Sequence, residues 1–231
     1  GFPLLVKSIL PVFIKRLKTW DIVTSANVDY FIANSRAVQK RVKDFYGRDS
    51  EVINPPVDCS KFKISQIDGS YFLIVSRLNP YKRLELAVEV FNQLRLPLKI
   101  VGIGPFKERL QKIAGSNIEF LGRLSDKELS KYYSECRALI FPGEEDFGIV
   151  PLEAMASGRP VIAYRGGGAL ETIIEGKTGI FFERFEIQSL IDAVKKFEGM
   201  NFDKGAIRYH ALSFDKEIFK KKIINFVEQK Y

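Results

Sequence analysis

The feature that most constrains this chain is a series of short, predominantly apolar segments, each separated from the next by an amphipathic stretch or a glycine-rich loop. Six of them recur from residue 71 onward, at 71–75, 98–101, 118–121, 138–141, 160–163 and 179–182, with Lys99 and Glu119 the only charges inside them. A strand with one face in water alternates apolar and polar residues, whereas a strand that is apolar throughout must be covered on both faces. The stretches 83–94, 106–114 and 126–134 carry apolar residues at helical spacing, so strand and helix alternate. That order predicts an α/β fold, a parallel sheet with helices on both faces. Ligands of such sheets settle in the crevice at the carboxyl ends of the strands, and the loops after strands are where chemistry is expected.

Upstream the pattern changes. Residues 4–20 place Val6, Ile9, Leu10, Phe13, Ile14 and Leu17 at helical spacing with Lys7, Lys15, Arg16 and Lys18 between them, which predicts an amphipathic helix bent at Pro11. Its apolar face is expected to pack on protein, with a membrane surface as the alternative. Lys7 interrupts the apolar stretch and no small-residue cleavage site follows, so a secretory signal is not expected. Next come a strand at 30–33, a helix capped by Asn34-Ser35 and closed by Gly47, and a strand at Val52-Ile53. Pro55 and Pro56 then break regular structure, making 54–58 the expected linker.

Composition excludes several classes of function. The chain has 231 residues, enough for a sizeable core, and no apolar run reaches the roughly 18 residues of a membrane span. Two isolated cysteines, Cys59 and Cys136, and one histidine, His210, cannot build the usual Cys/His metal sites; a reducing compartment such as cytosol fits them best. The net charge of +8 is unevenly placed. Residues 1–63 carry 11 Lys/Arg against 6 Asp/Glu, residues 64–183 carry 15 against 15, and residues 184–231 carry 10 against 7. The ends are basic and the middle is neutral, which argues against a nucleic-acid face in the core.

Chemistry-bearing residues cluster after the strands. Arg77 and Lys82 follow the strand 71–75 with Pro80 between them; a guanidinium fork and an ammonium that turn toward one point would suit a diphosphate, two solvated loop cations being the plainer reading. Gly102 and Gly104 follow the strand 98–101 and would let backbone amides approach a phosphate or sugar. They lack the third glycine and the later acidic residue of a dinucleotide fingerprint, so a nicotinamide cofactor is not supported. In the stretch 142–160, Pro151 and Gly158 bound a short helix beginning near Val150. The amides around Gly148, Ile149 and Val150 then offer an anion site, flanked by Glu145 in the loop and Glu153 in the expected first turn. Ionised carboxylates accept hydrogen bonds from vicinal hydroxyls, so phosphate joined to sugar is the ligand such a site suits. The plainer readings are a solvated acid for Glu145 and a favourable first-turn charge for Glu153. Gly166-Gly167-Gly168 marks either another close approach to a ligand or a tight turn, and Glu171 is read as a helix-entry charge.

Glu145-x7-Glu153 within PGEEDFGIVPLEAMASGRPVIA, preceded by SRLNPYKR and followed by GGGALETIIEGKTG, resembles the carboxyl-terminal half of the family 4 retaining glycosyltransferases of the GT-B fold. YFIANSRAVQKRVKDFYG and EVINPPVDCSKF resemble the segment with which those enzymes leave their amino-terminal domain, so the similarity spans about residues 29–200. The resemblance implies a Rossmann-like donor-binding domain at 58–205, a remnant of the amino-terminal domain with its linker at 1–57, and a tail helix at 206–231. That tail, with Phe219, Ile223, Phe226 and Val227 on one face and Lys220, Lys221 and Lys222 on the other, would cross back to pack on the amino-terminal domain.

Carried over by residue, Arg77 and Lys82 would clamp the donor diphosphate, Glu145 would contact the sugar hydroxyls and Glu153 the ribose. The amides of Ile149 and Val150 would help to hold phosphate or sugar, and Arg123 and Leu124 would lie near the base. Transfer would retain configuration, with no metal and no cofactor beyond the nucleotide-sugar. GDP-mannose is the favoured donor and a glycan or lipid-linked molecule the acceptor. The family's amino-terminal domain, roughly 150 residues, is not in this sequence, so the chain alone is expected to transfer little sugar and to need that domain or a separate partner. His210 matches no family role and is read as a surface or packing residue. The expected place is the cytoplasm, with peripheral membrane contact as an option. Two other classes stand beside this reading: a nucleotide-sugar epimerase of the same architecture, and an interaction module that uses its basic ends at a membrane.

Overall fold

The computed structural model describes residues 4–67 and 69–230, with side chains from Leu10 onward. They form two compact units, one ending at Ile53 and one starting at Asn54.

The first unit runs α1 (Leu4–Ser25), β1 (Phe31–Ala33), α2 (Arg36–Tyr46) and β2 (Ser50–Val52). Helix α1 continues through Pro11 and past the expected end at Trp20, since no glycine or second proline stops it before Asn27. The Ser35 hydroxyl caps α2 by accepting from the Val38 amide at 3.1 Å. Gly47 ends it with a φ of 64°, donating to the Lys43 carbonyl at 3.0 Å. β1 and β2 pair in parallel, and this draws β2 earlier than the strand expected at Val52-Ile53. The expected covering of the α1 apolar face is not found: Leu10, Phe13, Ile14 and Leu17 are 41%, 57%, 40% and 46% exposed. A two-stranded sheet has too little surface to bury such a helix. The side chains of Val6, Lys7 and Ile9 lie outside the described residues.

The second unit holds the predicted sheet. Its strands are β3 (Phe72–Val75), β4 (Leu98–Val101), β5 (Ile118–Gly122), β6 (Leu139–Phe141), β7 (Val161–Tyr164) and β8 (Gly179–Phe182). All neighbours pair in parallel, in the order β5-β4-β3-β6-β7-β8. From β3 the chain builds outward through β4 and β5, then returns to the other side for β6, β7 and β8. The order reverses between β3 and β6, and a crevice opens there at the carboxyl ends. These two strands meet through a single registered pair, Leu73 opposite Leu139.

Alternate residues of each strand feed two cores. Leu73, Leu139, Val161 and Phe181 point to the side of α5 (Asp126–Glu135), α6 (Ile149–Ala156), α7 (Ala169–Thr172) and α9 (Lys204–Leu212). Phe72, Ile74, Ile100, Ile140 and Ile162 point to the side of α3 (Leu84–Leu94), α4 (Lys107–Ile113) and α8 (Ile187–Glu198). Burial on both faces is why the central strands read as uninterrupted apolar runs, while toward the edge β4 and β5 carry Lys99 and Glu119, which pair with each other at 3.0 Å. Helix α8 was not among the expected elements, although Leu190, Ile191, Val194 and Phe197 give it a clear inner stripe. The expected single tail helix is two, α9 and α10 (Lys216–Lys230). Between them the Val57 amide donates to the Phe214 carbonyl at 2.9 Å and the Lys216 amide to the Val57 carbonyl at 3.2 Å, so the break pairs with the start of the second unit. Asp215 Oδ1 then accepts from the Glu217 amide at 3.0 Å and restarts the helix.

Candidate functional site

The crevice between β3 and β6 brings together Lys82 and Glu145, 63 positions apart in sequence. After β3 the chain makes a one-turn helix, Pro80–Lys82, whose last residue turns inward. Lys82 keeps only 14% of its side chain exposed and its ammonium pairs directly with Glu145, itself 27% exposed, in the loop after β6. The two expected site residues are therefore brought into contact. Gly143 makes this possible, because a Cβ there would lie 3.1 Å from the Lys82 carbonyl. Arg77 stands on the same loop, exposed and without an ion pair among the described residues.

The Glu145 loop rests on a bed of glycine. A Cβ at Gly167 would sit 2.2 Å from the Glu145 carbonyl oxygen, and one at Gly168 would sit 2.1 Å from Phe147 Cα. The Gly168 amide donates to the Glu145 carbonyl at 2.9 Å. The close approach expected of this glycine run is thus to the protein's own backbone. Gly102 and Gly104 behave alike: added Cβ atoms would meet the carbonyl oxygens of Ser76 and Leu78 at 1.8 and 2.5 Å. Leu78 and the Gly-Ile-Gly turn are also tied by a hydrogen bond of 3.0 Å from the Leu78 amide to the Ile103 carbonyl. The glycines at these corners let loops stack and so hold the charged groups in place.

Helix α6 opens at Ile149, with Gly148 before it at a φ of 85° and Pro151 in the first turn. Its leading amides have no partner within the helix and sit at the positive end of its dipole. Glu153 is the fifth residue of this helix, beyond the first turn, so the first-turn charge reading does not hold. It is instead largely buried. The Tyr133 hydroxyl of α5 donates to its Oε2 at 2.6 Å. Burial pushes the Glu153 carboxyl above its usual range, while the Tyr133 bond pulls it back. Glu153 faces a cleft of about 210 Å³ lined also by Pro56, Asp58, Lys61, Asp126 and Ile149. Arg123 and Leu124 follow β5; Arg123 is exposed, and Leu124 packs against the core on the α5 side.

Tyr133 was missed by sequence reasoning, and for the glycine run the neighbour it approaches, the Glu145–Phe147 backbone, was not foreseen. Tyr133 lies twenty positions from Glu153, and nothing local marks the pair. The remaining candidates serve structure. His210 Nε2 lies 2.8 Å from the Thr172 carbonyl and its ring packs edge-on against Phe214, in line with a packing role. Glu171 sits in the short helix α7 and accepts from the Asn54 amide nitrogen at 3.4 Å. Cys59 and Cys136 are buried free thiols. Among the described residues no group of three His, Cys, Asp or Glu gathers to hold a metal ion, and no helix is long and apolar enough to cross a membrane.

The crevice at the strand-order reversal holds the Lys82–Glu145 pair, the amino terminus of α6 offers positive potential to an anion, and Glu153 faces the cleft lined by Asp58, Lys61, Asp126 and Ile149. The family model of group 1 glycosyl transferases matches residues 60–210, well over half the chain. The chain belongs to this family. Among relatives, sulfoquinovosyl transferase SQD2 of Arabidopsis thaliana is 33% identical over 204 residues, 83% of this chain and 39% of its own length. The GDP-mannose-dependent alpha-(1-6)-phosphatidylinositol monomannoside mannosyltransferase of Mycolicibacterium smegmatis is 29% identical over 219 residues, 81% of this chain and 56% of its own. The chain thus spans about half, or less, of the length of such relatives. Sucrose-phosphate synthase from Thermosynechococcus elongatus superposes with a TM-score of 0.81 at 21% identity, covering 93% of this chain and 61% of that one. Anabaena Alr3699/HepE, in complex with UDP and glucose, gives 0.76 at 22% identity, covering 91% and 67%. The architecture of this group 1 glycosyl transferase is therefore that of the GT-B enzymes.

Proposed function

We propose that this chain carries the donor-binding part of a retaining hexosyltransferase that takes a nucleoside diphosphate sugar, with GDP-mannose first among donors and a glycan or lipid-linked hydroxyl as acceptor. The observation that carries the reading is the Lys82–Glu145 pair in the crevice beside the amino terminus of α6. In the free protein the two charges satisfy each other. A bound donor exchanges these partners, its diphosphate taking the Lys82 ammonium and its sugar hydroxyls the Glu145 carboxylate. Arg77 and the Ile149 and Val150 amides add positive potential where the leaving diphosphate gathers charge, and Arg123 and Leu124 flank the base. In the transfer, the bond from the anomeric carbon to the diphosphate oxygen breaks. The acceptor oxygen bonds to that carbon from the same face, and its proton leaves with the diphosphate. Transfer also requires the family's amino-terminal domain, on this chain's longer form or on a partner. Preference for mannose draws support from relatives named for GDP-mannose-dependent or mannosyl transfer, while the SQD2 relative is named for another sugar.

Calorimetric titration with GDP, UDP and ADP tests the reading. One of the three binds, and Lys82→Ala and Arg77→Ala each weaken it by about tenfold, as expected for charge-assisted bonds. Absence of binding by all three, or indifference to both substitutions, refutes it.

A further inference from the structure

Resting on the proposed contact between Glu153 and the donor ribose, one residue outside the cleft acquires a role. Tyr133 has no exposed surface. It stands on the inner face of α5, its ring edge-on to Phe62 at 5.8 Å, and its hydroxyl takes one oxygen of Glu153, Oε2. The other oxygen, Oε1, makes no hydrogen bond among the described residues, and the side chain it belongs to lines the cleft. A glutamate side chain rotates freely about its last bond unless one oxygen is held. The helix supplies no such hold, because the fifth residue of α6 is beyond reach of the free amides at the start.

We propose that Tyr133 is a positioning residue for the donor: by holding Oε2 it fixes the plane of the Glu153 carboxylate and aims Oε1 at the vicinal hydroxyls of the ribose. Tyr133 does not reach the cleft itself, so it acts only through Glu153. Burial drives the phenol well above its usual range, and it remains a hydroxyl donor at every working pH. The same bond sets how the site responds to acid. Glu153 is raised by burial and by Asp126 at the head of α5, and lowered by Tyr133 and by Lys61 in the turn Cys59–Lys61; Asp58 also lines the cleft. Removing the hydroxyl removes one of the two influences that favour the ionised form. The carboxyl then takes up its proton at a higher pH, and affinity that depends on the ionised form is lost earlier as pH falls.

The test uses the chain itself with the best-binding of GDP, UDP and ADP, and with its 2′,3′-dideoxy form, titrated from about pH 8 to about pH 5. Wild type loses about tenfold or more in affinity when the ribose hydroxyls are absent. Tyr133→Phe keeps the ring against Phe62 and is checked by its cooperative unfolding. It binds the normal nucleotide several-fold more weakly, leaves the dideoxy affinity unchanged, and shows its acid-side loss at higher pH than wild type. The nucleotide's own titration is common to both proteins and cancels. If wild type binds both nucleotides equally, the assignment of Glu153 to the ribose fails and this role goes with it. If wild type discriminates but Tyr133→Phe matches it in affinity and pH profile, the assignment of Glu153 stands and the role of Tyr133 is overturned. Equal weakening toward both nucleotides with an unmoved pH profile overturns it too, since that is the signature of packing alone.

Discussion

Replacing Gly167 with alanine separates two reasons for a glycine at one corner of the site. Its φ of 55° alone costs an L-residue roughly 1–2 kcal/mol. The new Cβ would in addition lie 2.2 Å from the Glu145 carbonyl oxygen, which must retreat by roughly 1 Å to reach ordinary contact at 3.4 Å. Overpacking of a tight site costs about 1–3 kcal/mol, so the total is about 2–5 kcal/mol. Gly176 is the control: it has a φ of 77° and nothing within 4 Å of an added Cβ, so Gly176→Ala carries only the backbone strain. The unfolded-chain effect of Gly→Ala is common to both and cancels. Thermal unfolding should place Gly167→Ala about 2–12 °C below Gly176→Ala. Because the retreating carbonyl belongs to Glu145, nucleotide affinity measured by calorimetry should fall for Gly167→Ala and hold for Gly176→Ala. Equal melting temperatures and equal affinities for the two variants would show that the glycine bed does not position the Glu145 loop.

Other outcomes follow from charges and thiols. Arg165 pairs with Glu175 at 2.5 Å and Glu183 at 2.6 Å and lies 4.5 Å over the Phe181 ring; at 35% side-chain exposure, Arg165→Ala should cost about 1–2 kcal/mol in urea unfolding, with the gap narrowing in about 1 M salt. Asp58 is held down to about 2 by its bonds from Ser60 and Lys216. A lowered carboxyl stabilises above its unfolded value and loses that contribution as pH falls through the folded one, so Asp58→Asn should flatten the acid limb of stability between about pH 4 and pH 2. Burial pushes the Cys59 thiol up to about 11 and Cys136 up to about 12; neither should react with a thiol reagent near pH 8 in the native protein, and both should react in denaturant.

The sheet was legible because double burial leaves a mark that survives translation into text: Phe72, Leu73 and Ile74 are adjacent, apolar and buried on opposite faces. The crevice followed from the rule for strand ends, and Lys82 and Glu145 met there although 63 residues separate them. What stayed hidden was the identity of partners. Gly167 announces a close approach without saying that the neighbour is Glu145, and Glu153 announces a carboxylate without saying that Tyr133 holds it. The tail shows the same limit: the pattern of Phe219, Ile223 and Phe226 marks a helix, but the break at 213–215 is made by pairing with Val57, which no local pattern encodes. The stripe on α1 asks for a cover and does not name it.

The seam between β3 and β6 has a consequence for how this site can change. Three strands lie on each side, and across the seam only Leu73 and Leu139 stand in register, against four registered pairs between β3 and β4 and three between β6 and β7. On one leaf, the ends of β3 and β5 carry Arg77, Lys82, Arg123 and Leu124; on the other, the end of β6 carries Glu145 and leads into α6. Across the seam the leaves are also joined by the Lys82–Glu145 pair, the Tyr133–Glu153 bond between α5 and α6, and the Phe72–Phe197 ring contact. Each set of loops therefore hangs on its own three strands, and a change in one is felt by the other through these side-chain links.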